Sequence, residues 1–369
     1  MSEHRDLLLD SVGRMLGERC GPEVVAAAEA GWPAELWALL EQAGLPLAPV
    51  AEAAGGGGAG VADTVAVARL AAQHAAPVPL GETGLLAGHA LATAGLPVPA
   101  GPLAAVWTGV SARRTRDGLY LTGRASRVPW GSLATRIAVL ADSPDGIEVC
   151  AVDPGTCAVE HGTNLAGEPR DAVCFDGVEV DPQDCAPASR QLSPSQLEHR
   201  AALLRAAQIA GALAGALELS VAYAGERVQF GRPIGRFQAV GQQLALLAAE
   251  AAAAGGAVDL ALAALEAGGD ARNEIAAAKV RAGRAAGVGS EIAHQVHGAI
   301  GFTREHRLHH LTRRLWSWRE EHGSEIVWAA RLGRVALTGG GSGLWPLITA
   351  TRLYGAGDGV VPAGDANDR

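Results

Sequence analysis

Arg227-Val228-Gln229-Phe230-Gly231-Arg232-Pro233-Ile234-Gly235-Arg236-Phe237-Gln238 closes one long Ala/Leu-rich run and opens another. An arginine ends the first run, a Phe-Gly pair turns the chain, and Pro233 separates the two helices. Such a corner can hold a large anion. Arg227 offers a planar fork of donors suited to two phosphate oxygens, a charge-assisted contact of roughly 1.5–3 kcal/mol. Phe230 can pack against a ring, and Gln238 can donate and accept at a polar edge. For Arg227 taken alone, the competing reading is a solvated helix-end cation favoured by the dipole.

Outward from this corner, residues 195–337 show long helical periodicity. Helices are predicted over 198–228, 237–267, 272–297 and 305–335, broken at Pro233, Gly268-Gly269 and Gly298 to Gly301. Short links between long helices imply an antiparallel four-helix bundle. Upstream, between about Pro102 and Pro182, the pattern changes to short alternating runs at 105–110, 119–122, 137–140, 147–152 and 173–180. Asp117-Gly118, Asp145-Gly146 and Asp176-Gly177 turn the chain between them. These runs are too closely spaced for crossover helices, so an antiparallel sandwich or barrel is expected.

The first hundred residues are again helical, with one stripe of Leu7, Leu8, Leu9, Val12, Met15 and Leu16 and another of Trp37, Leu39, Leu40 and Leu45. Gly55 to Gly58 has no following Lys-Ser or Lys-Thr pair and no preceding buried strand, so it reads as a connector rather than a phosphate loop. The expected fold is mostly α with a β insert. It comprises an N-terminal helical domain (1–100), a small antiparallel β domain (101–190), a C-terminal four-helix bundle (195–337) and a loosely ordered tail (338–369).

Composition narrows the function. The 369 residues are 49% hydrophobic but only 4% aromatic, so Ala, Leu, Val and Gly must do the packing. A formal charge of −9 without basic runs argues against a nucleic-acid partner. No charge-free apolar stretch of about 18 residues reads as a membrane span, and Met1-Ser2-Glu3-His4-Arg5-Asp6 lacks the features of a signal peptide, so a cytoplasmic protein is expected. Five cysteines without a Cys-x-x-Cys pair suggest neither disulfides nor zinc. His294, His297, His306, His309 and His310 cluster in sequence but lack carboxylates at ligand spacing, so no metal is expected.

Two further segments join the corner. Gln295-Val296-His297-Gly298-Ala299-Ile300-Gly301-Phe302 ends a helix with glycines that let backbone amides approach a ligand, and Gln295 can add a specific hydrogen bond. Ordinary glycine caps on a helix end are the competing reading. Arg313-Arg314 is followed by Glu320-Glu321-His322-Gly323-Ser324. An acidic pair of this kind is most often a solvated helix face.

In this order, the three segments resemble the acyl-CoA dehydrogenase family over nearly the whole chain. The resemblance implies FAD, held by Arg227, Phe230, Gln238, Gln295, Gly298, Ala299 and Ser324. It also implies that the Gln295 loop meets an FAD held by Arg227 of a neighbouring subunit. The implied reaction is α,β-dehydrogenation of an acyl-CoA thioester: a carboxylate of raised pKa removes the α-proton, hydride leaves to flavin, and electrons pass to an electron-transfer flavoprotein.

The base is where the chain departs from the pattern. Aligned without gaps, the family's glutamate falls on His322, and one position earlier on Glu321; the site some members use on the preceding helix falls on Ala201, with Glu198 one turn away. Glu321 is expected as base, with His322 as the alternative. The family's Thr-Glu-Pro-x-x-Gly-Ser-Asp loop has no counterpart between Gly101 and Asp117, and of its Trp-x-Thr/Ser-Asn motif only Trp130 is left. These departures leave open a homo-oligomer, a catalytically incomplete subunit of a heteromer, or a flavin monooxygenase or oxidase on the same scaffold.

Overall fold

The computed structural model describes residues 3–115 and 118–338. The expected tail therefore lies, apart from Thr338, outside the described residues, as does Asp117 of one expected turn.

The chain begins with helices α1 (Glu3–Arg19), α2 (Pro22–Ala27), α3 (Ala34–Gln42) and α4 (Val61–Gln73), then a π-helical turn (Glu82–Gly88) running into α5 (His89–Thr93). In α1, Val12 and Leu16 are buried whereas Leu7 is 64% exposed, so the apolar stripe is narrower than its sequence suggests. Eight strands follow: β1 (Leu103–Val106), β2 (Val110–Arg114), β3 (Leu119–Pro129), β4 (Arg136–Ser143), β5 (Gly146–Val152), β6 (Ala158–Glu160), β7 (Arg170–Val180) and β8 (Cys185–Pro187). They form one sheet in the order β6-β7-β3-β2-β4-β5-β8, with β1 on β4. The expected antiparallel pairing holds for β2–β3, β3–β7, β4–β5, β5–β8 and β6–β7; the exceptions are β1, which runs parallel to β4, and a single parallel bridge between β2 and β4. The short runs carried no information about direction, since period-two burial is the same for both.

Alternation along the strands divides the sheet's two faces. Leu103, Ala105, Ala138, Leu140 and Val149 face the helical core, while Ala104, Val106, Ile137, Val139 and Cys150 close a second cluster within the β layer. All five cysteines are free.

The helical part contains α6 (Pro194–Glu226), α7 (Gln238–Glu266), α8 (Arg272–His297), α9 (Leu308–Glu320) and α10 (Glu325–Thr338), with a two-strand hairpin, β9 (Val228–Gln229) and β10 (Arg232–Pro233), between α6 and α7. Ser193 caps α6: its Oγ accepts from the Gln196 amide at 3.3 Å, with Pro194 in the first turn. The small residues of α6 let it sit close to α4. A Cβ on Gly211 would lie 1.9 Å from the Arg69 carbonyl oxygen, and one on Gly215 2.5 Å from that of Gln73. By length and apolarity α6 and α7 could each cross a membrane, but α6 is mostly buried as the core helix of the bundle.

The helix predicted over 305–335 is in fact two helices. Glu321 to Ser324 break it, with His322 at φ 54° and Gly323 at φ 92°, the left-handed region that ends helices. This break carries the candidate site.

Candidate active site and cofactor surface

A cleft of about 310 Å³ lies between the end of β1, the bend of β3 and the α9–α10 turn. Trp107, Arg127, Glu198, Glu320, Glu321 and His322 line it. His322 stands beside Trp107 with ring centroids 5.4 Å apart, and its carbonyl accepts from Trp328 Nε1 at 2.9 Å. Its buried Nε2 has no hydrogen-bond partner among the described residues. Burial, with Arg205 nearby, lowers the imidazole to about 3, so the ring is neutral at neutral pH. Across the cleft, Glu198 is gripped by both terminal nitrogens of Arg331 at 2.9 and 2.7 Å.

Glu321 borders the cleft, but its carboxylate is engaged by the protein itself. Its Oε1 accepts from Arg170 Nε at 2.8 Å and Asn164 Nδ2 at 3.0 Å, and its Oε2 from Arg205 Nε at 2.8 Å and Arg170 Nη2 at 3.0 Å. Arg205 also donates to Glu82 at 2.8 Å. Arg170 and Trp318 donate to Glu168 at 2.9 and 3.0 Å, and Arg314 pairs with Glu168 at 3.1 Å. Three guanidinium groups thus face three carboxylates, all buried, where the π-helical turn, β7, α6 and α9 converge.

Burial alone would raise the Glu321 carboxyl, as the expected base requires. Arg170 and Arg205 outweigh it and hold the carboxyl well below the usual carboxylate range. The raised pKa expected of Glu321 is therefore not found. The sequence could not show this, because Arg170 and Arg205 lie 151 and 116 positions away. Glu320 is on the solvent side, its side chain 57% exposed near Arg319.

A buried lysine fixes the turn from below. Lys279 Nζ donates to the carbonyls of Arg319 at 2.7 Å and Trp318 at 3.4 Å, capping the end of α9. Burial, then Arg205, lowers its ammonium to about 8.

The opening segment forms the far end of the bundle. Arg227 caps α6, and its carbonyl accepts from the Ile234 amide at 2.8 Å. Phe230 (φ 52°) and Gly231 (φ 79°) form the two-residue tip of the β9–β10 hairpin, which needs positive φ at both places. Phe230 is 92% exposed, edge-on to Phe237 at 6.1 Å, while Arg232 lies 4.3 Å over the Phe237 ring. Arg227, Gln238, Gln295, Gly298 and Ala299 are all exposed, and among the described residues the Arg227 guanidinium has no ion-pair partner. An exposed cation, an exposed aromatic ring and a glycine at φ 63° suit a ligand with phosphate and ring parts.

Tyr223 stacks on His297 at 4.7 Å, so the ends of α6 and α8 adjoin within one chain. The structure thus brings Arg227, Phe230, Gln238, Gln295, Gly298 and Ala299 to one end of the bundle. Ser324 is instead beside the His322 turn. His306, which packs on His297, precedes α9, and His322 follows it; the 13 residues of that helix separate the two regions by about 20 Å.

Two other sequence readings change. Trp130 is buried edge-on to Trp32 at 6.0 Å and does not line the cleft; Trp107, unnoticed in the sequence, does. Among the histidines, His294 stacks on Phe302 at 4.1 Å. His309 and His310 gather with Glu29, their ligand-type atoms within 4.8 Å of one another, a carboxylate that sequence spacing could not place there. Glu29 is already paired with Arg313 at 2.6 Å.

Profiles of the acyl-CoA dehydrogenase C-terminal and N-terminal domains match residues 195–337 and 2–97. The chain is 32% identical to the acyl-CoA dehydrogenase IpdE2 of Mycolicibacterium smegmatis over 84% of its own length and 91% of that protein. It is 31% identical to acyl-CoA dehydrogenase FadE27 of Mycobacterium tuberculosis over 74% and 80%. Among solved structures, it superposes on the ChsE4–ChsE5 complex of Mycobacterium tuberculosis with TM-score 0.84 and 27% identity, covering 92% of this chain and 98% of the other. Butyryl-CoA dehydrogenase of Megasphaera elsdenii shares the fold at TM-score 0.83 and 21% identity, over 91% and 99%. With both terminal domains matched and a relative at this identity over most of its length, the chain belongs to the acyl-CoA dehydrogenase family of oxidoreductases.

Proposed function

We propose that this chain serves FAD-dependent α,β-dehydrogenation of an acyl-CoA thioester as the cofactor-assisting subunit of a two-chain enzyme, acting in the cytoplasm and passing electrons to an electron-transfer flavoprotein. One observation carries the reading: the only expected carboxylate base, Glu321, is locked in a buried ion network with its pKa depressed. A neutral imidazole lowered to about 3, as at His322, is too weak a base to replace it at neutral pH. The related ChsE4–ChsE5 structure is a complex of two proteins, which supports a paired assembly.

In this reading Arg227 holds the pyrophosphate, Phe230 packs on a ring, and Gln238, Gln295, Gly298 and Ala299 supply polar contacts from one end of the bundle. When bound, FAD supplies the hydride acceptor for the β-hydrogen. His322, Gly323 and Trp107 shape a separate cleft about 20 Å away. A cofactor on the Arg227 surface would therefore face a site completed by a second chain, which would supply the proton-abstracting carboxylate.

The test is to express the chain alone and with a related chain that carries the glutamate, then record visible spectra before and after adding acyl-CoA. The expected result is flavin bleaching only by the pair. Bleaching by the chain alone, abolished by Glu321→Gln at unchanged Tm, would overturn the reading and restore Glu321 as base.

A further inference from the structure

A second, smaller chamber of about 260 Å³ lies between α4, α5, the start of α6 and the start of α8, at the end of the bundle opposite the Arg227 surface. Its walls are largely aliphatic, from Val65, Leu85, Leu203 and Ile275, but it also contains Arg200. No carboxylate pairs with that guanidinium among the described residues. The chamber's one acid, Asp270, is engaged by Arg272 at 3.1 Å. Glu198, two positions away on α6, lines the other cleft and is held by Arg331.

The neighbouring groups are donors or neutral. Gln196 accepts at its Oε1 from Ser193, which leaves its amide nitrogen free to donate. His89, partly buried beside Arg200 and lowered to about 3, carries no charge at neutral pH. Partial burial also lowers Arg200 itself, to about 10, in a chamber where no carboxylate among the described residues pairs with it. A partly buried guanidinium with no carboxylate partner leaves its charge open to an anion that enters the chamber.

We propose that this chamber binds a small amphipathic carboxylate, its head on Arg200 and Gln196 and its short aliphatic body against Leu85, Leu203 and Ile275. The volume lies just under the ~300–1,000 Å³ of typical ligand pockets, which limits the occupant to a small acid. The inference is independent of the FAD reading and of the cleft beside His322.

Calorimetric titration of the whole chain with hexanoate, 1-hexanol and inorganic phosphate tests it. Hexanoate should bind with a stoichiometry of one, hexanol and phosphate at least about tenfold more weakly, and Arg200→Gln should weaken hexanoate by about tenfold or more. The same variant without ligand should melt no lower than the parent, since an unpaired charge has been removed. Hexanoate binding that is absent, or equal in the parent and Arg200→Gln, overturns the proposal. Phosphate binding as tight as hexanoate does so too, because it would mean that the aliphatic wall contributes nothing. If Arg200→Gln fails to fold, Leu203→Asp offers a second route: it should abolish hexanoate binding, and retention would count against the site.

Discussion

Replacing Glu321 by glutamine separates a structural carboxylate from a catalytic one. The parent side chain accepts four hydrogen bonds, two from Arg170 and one each from Arg205 and Asn164, all within the protein. A glutamine keeps one acceptor oxygen and turns an NH2 group toward guanidinium donors, and it leaves three buried arginines facing two carboxylates. Arg205 Nη2 and, on the acceptor side, Glu82 Oε2 already lack hydrogen-bond partners among the described residues, so the network is incompletely satisfied before the change. Breaking a buried pair from one side costs about 3–5 kcal/mol. With an unfolding entropy of ~2 cal/mol/K per residue over 369 residues, Tm should fall by roughly 4–7 °C.

The pH dependence should change as well. The Glu321 carboxyl is held below its unfolded value of ~4.3, so its contribution is complete above about pH 5 and is lost as pH falls through the lower folded value. Between pH 7 and pH 3 the variant should therefore lose less stability than the parent. Thermal unfolding followed by circular dichroism at the two pH values reads both effects. A variant with Tm within about 1 °C of the parent, no change in acid sensitivity, and a ~10²–10⁴-fold loss of turnover would refute the network argument.

Three other outcomes follow from the same geometry. Arg227→Ala should weaken FAD retention by the co-expressed pair about tenfold or more, in a flavin fluorescence titration, while leaving the Tm of the FAD-free chain within about 1 °C, because the side chain is exposed. Lys279 is lowered to about 8 in the folded chain against ~10.4 unfolded, so between these values the unfolded chain binds more protons and this group's contribution to stability rises with pH. Melting curves at pH 7.5 and 9.5 should show that relative gain in the parent and its absence in Lys279→Met. Gly323→Ala puts a Cβ 2.6 Å from Trp328 Nε1 at a φ of 92°, at a cost of about 1–3 kcal/mol, and should release the Trp328 contact to the His322 carbonyl. A shifted tryptophan emission maximum together with a lower Tm checks it.

Much of the fold is local and was readable. The hydrophobic period of 3.6 places α6, α7 and α8 within a few residues of their observed ends, and Asp145-Gly146 marks the β4–β5 turn, whereas Asp176-Gly177, expected as a turn, lies within β7 at a register shift against β3. The Arg227–Gln238 corner was equally legible, since Phe230-Gly231 has few alternatives to a tight turn. The split between α9 and α10 was not. Glu320 to Ser324 lies inside an apolar stripe that continues on both sides, and only the geometry at His322 and Gly323 shows that the chain leaves the helix there.

By itself, then, the sequence determined the helical segments, the β insert and the tight corner between α6 and α7, because each depends on periodicity or on residues within a dozen positions. The tertiary structure alone decided the direction of β1 on β4, the company of Glu321 and the unpaired state of Arg200. Those depend on residues far apart in sequence, 33 positions for β1 on β4 and more than a hundred for Glu321 and its arginines, meeting in the folded interior. There, the neighbours a carboxylate or guanidinium meets decide whether it is a base, a strut or a binding group.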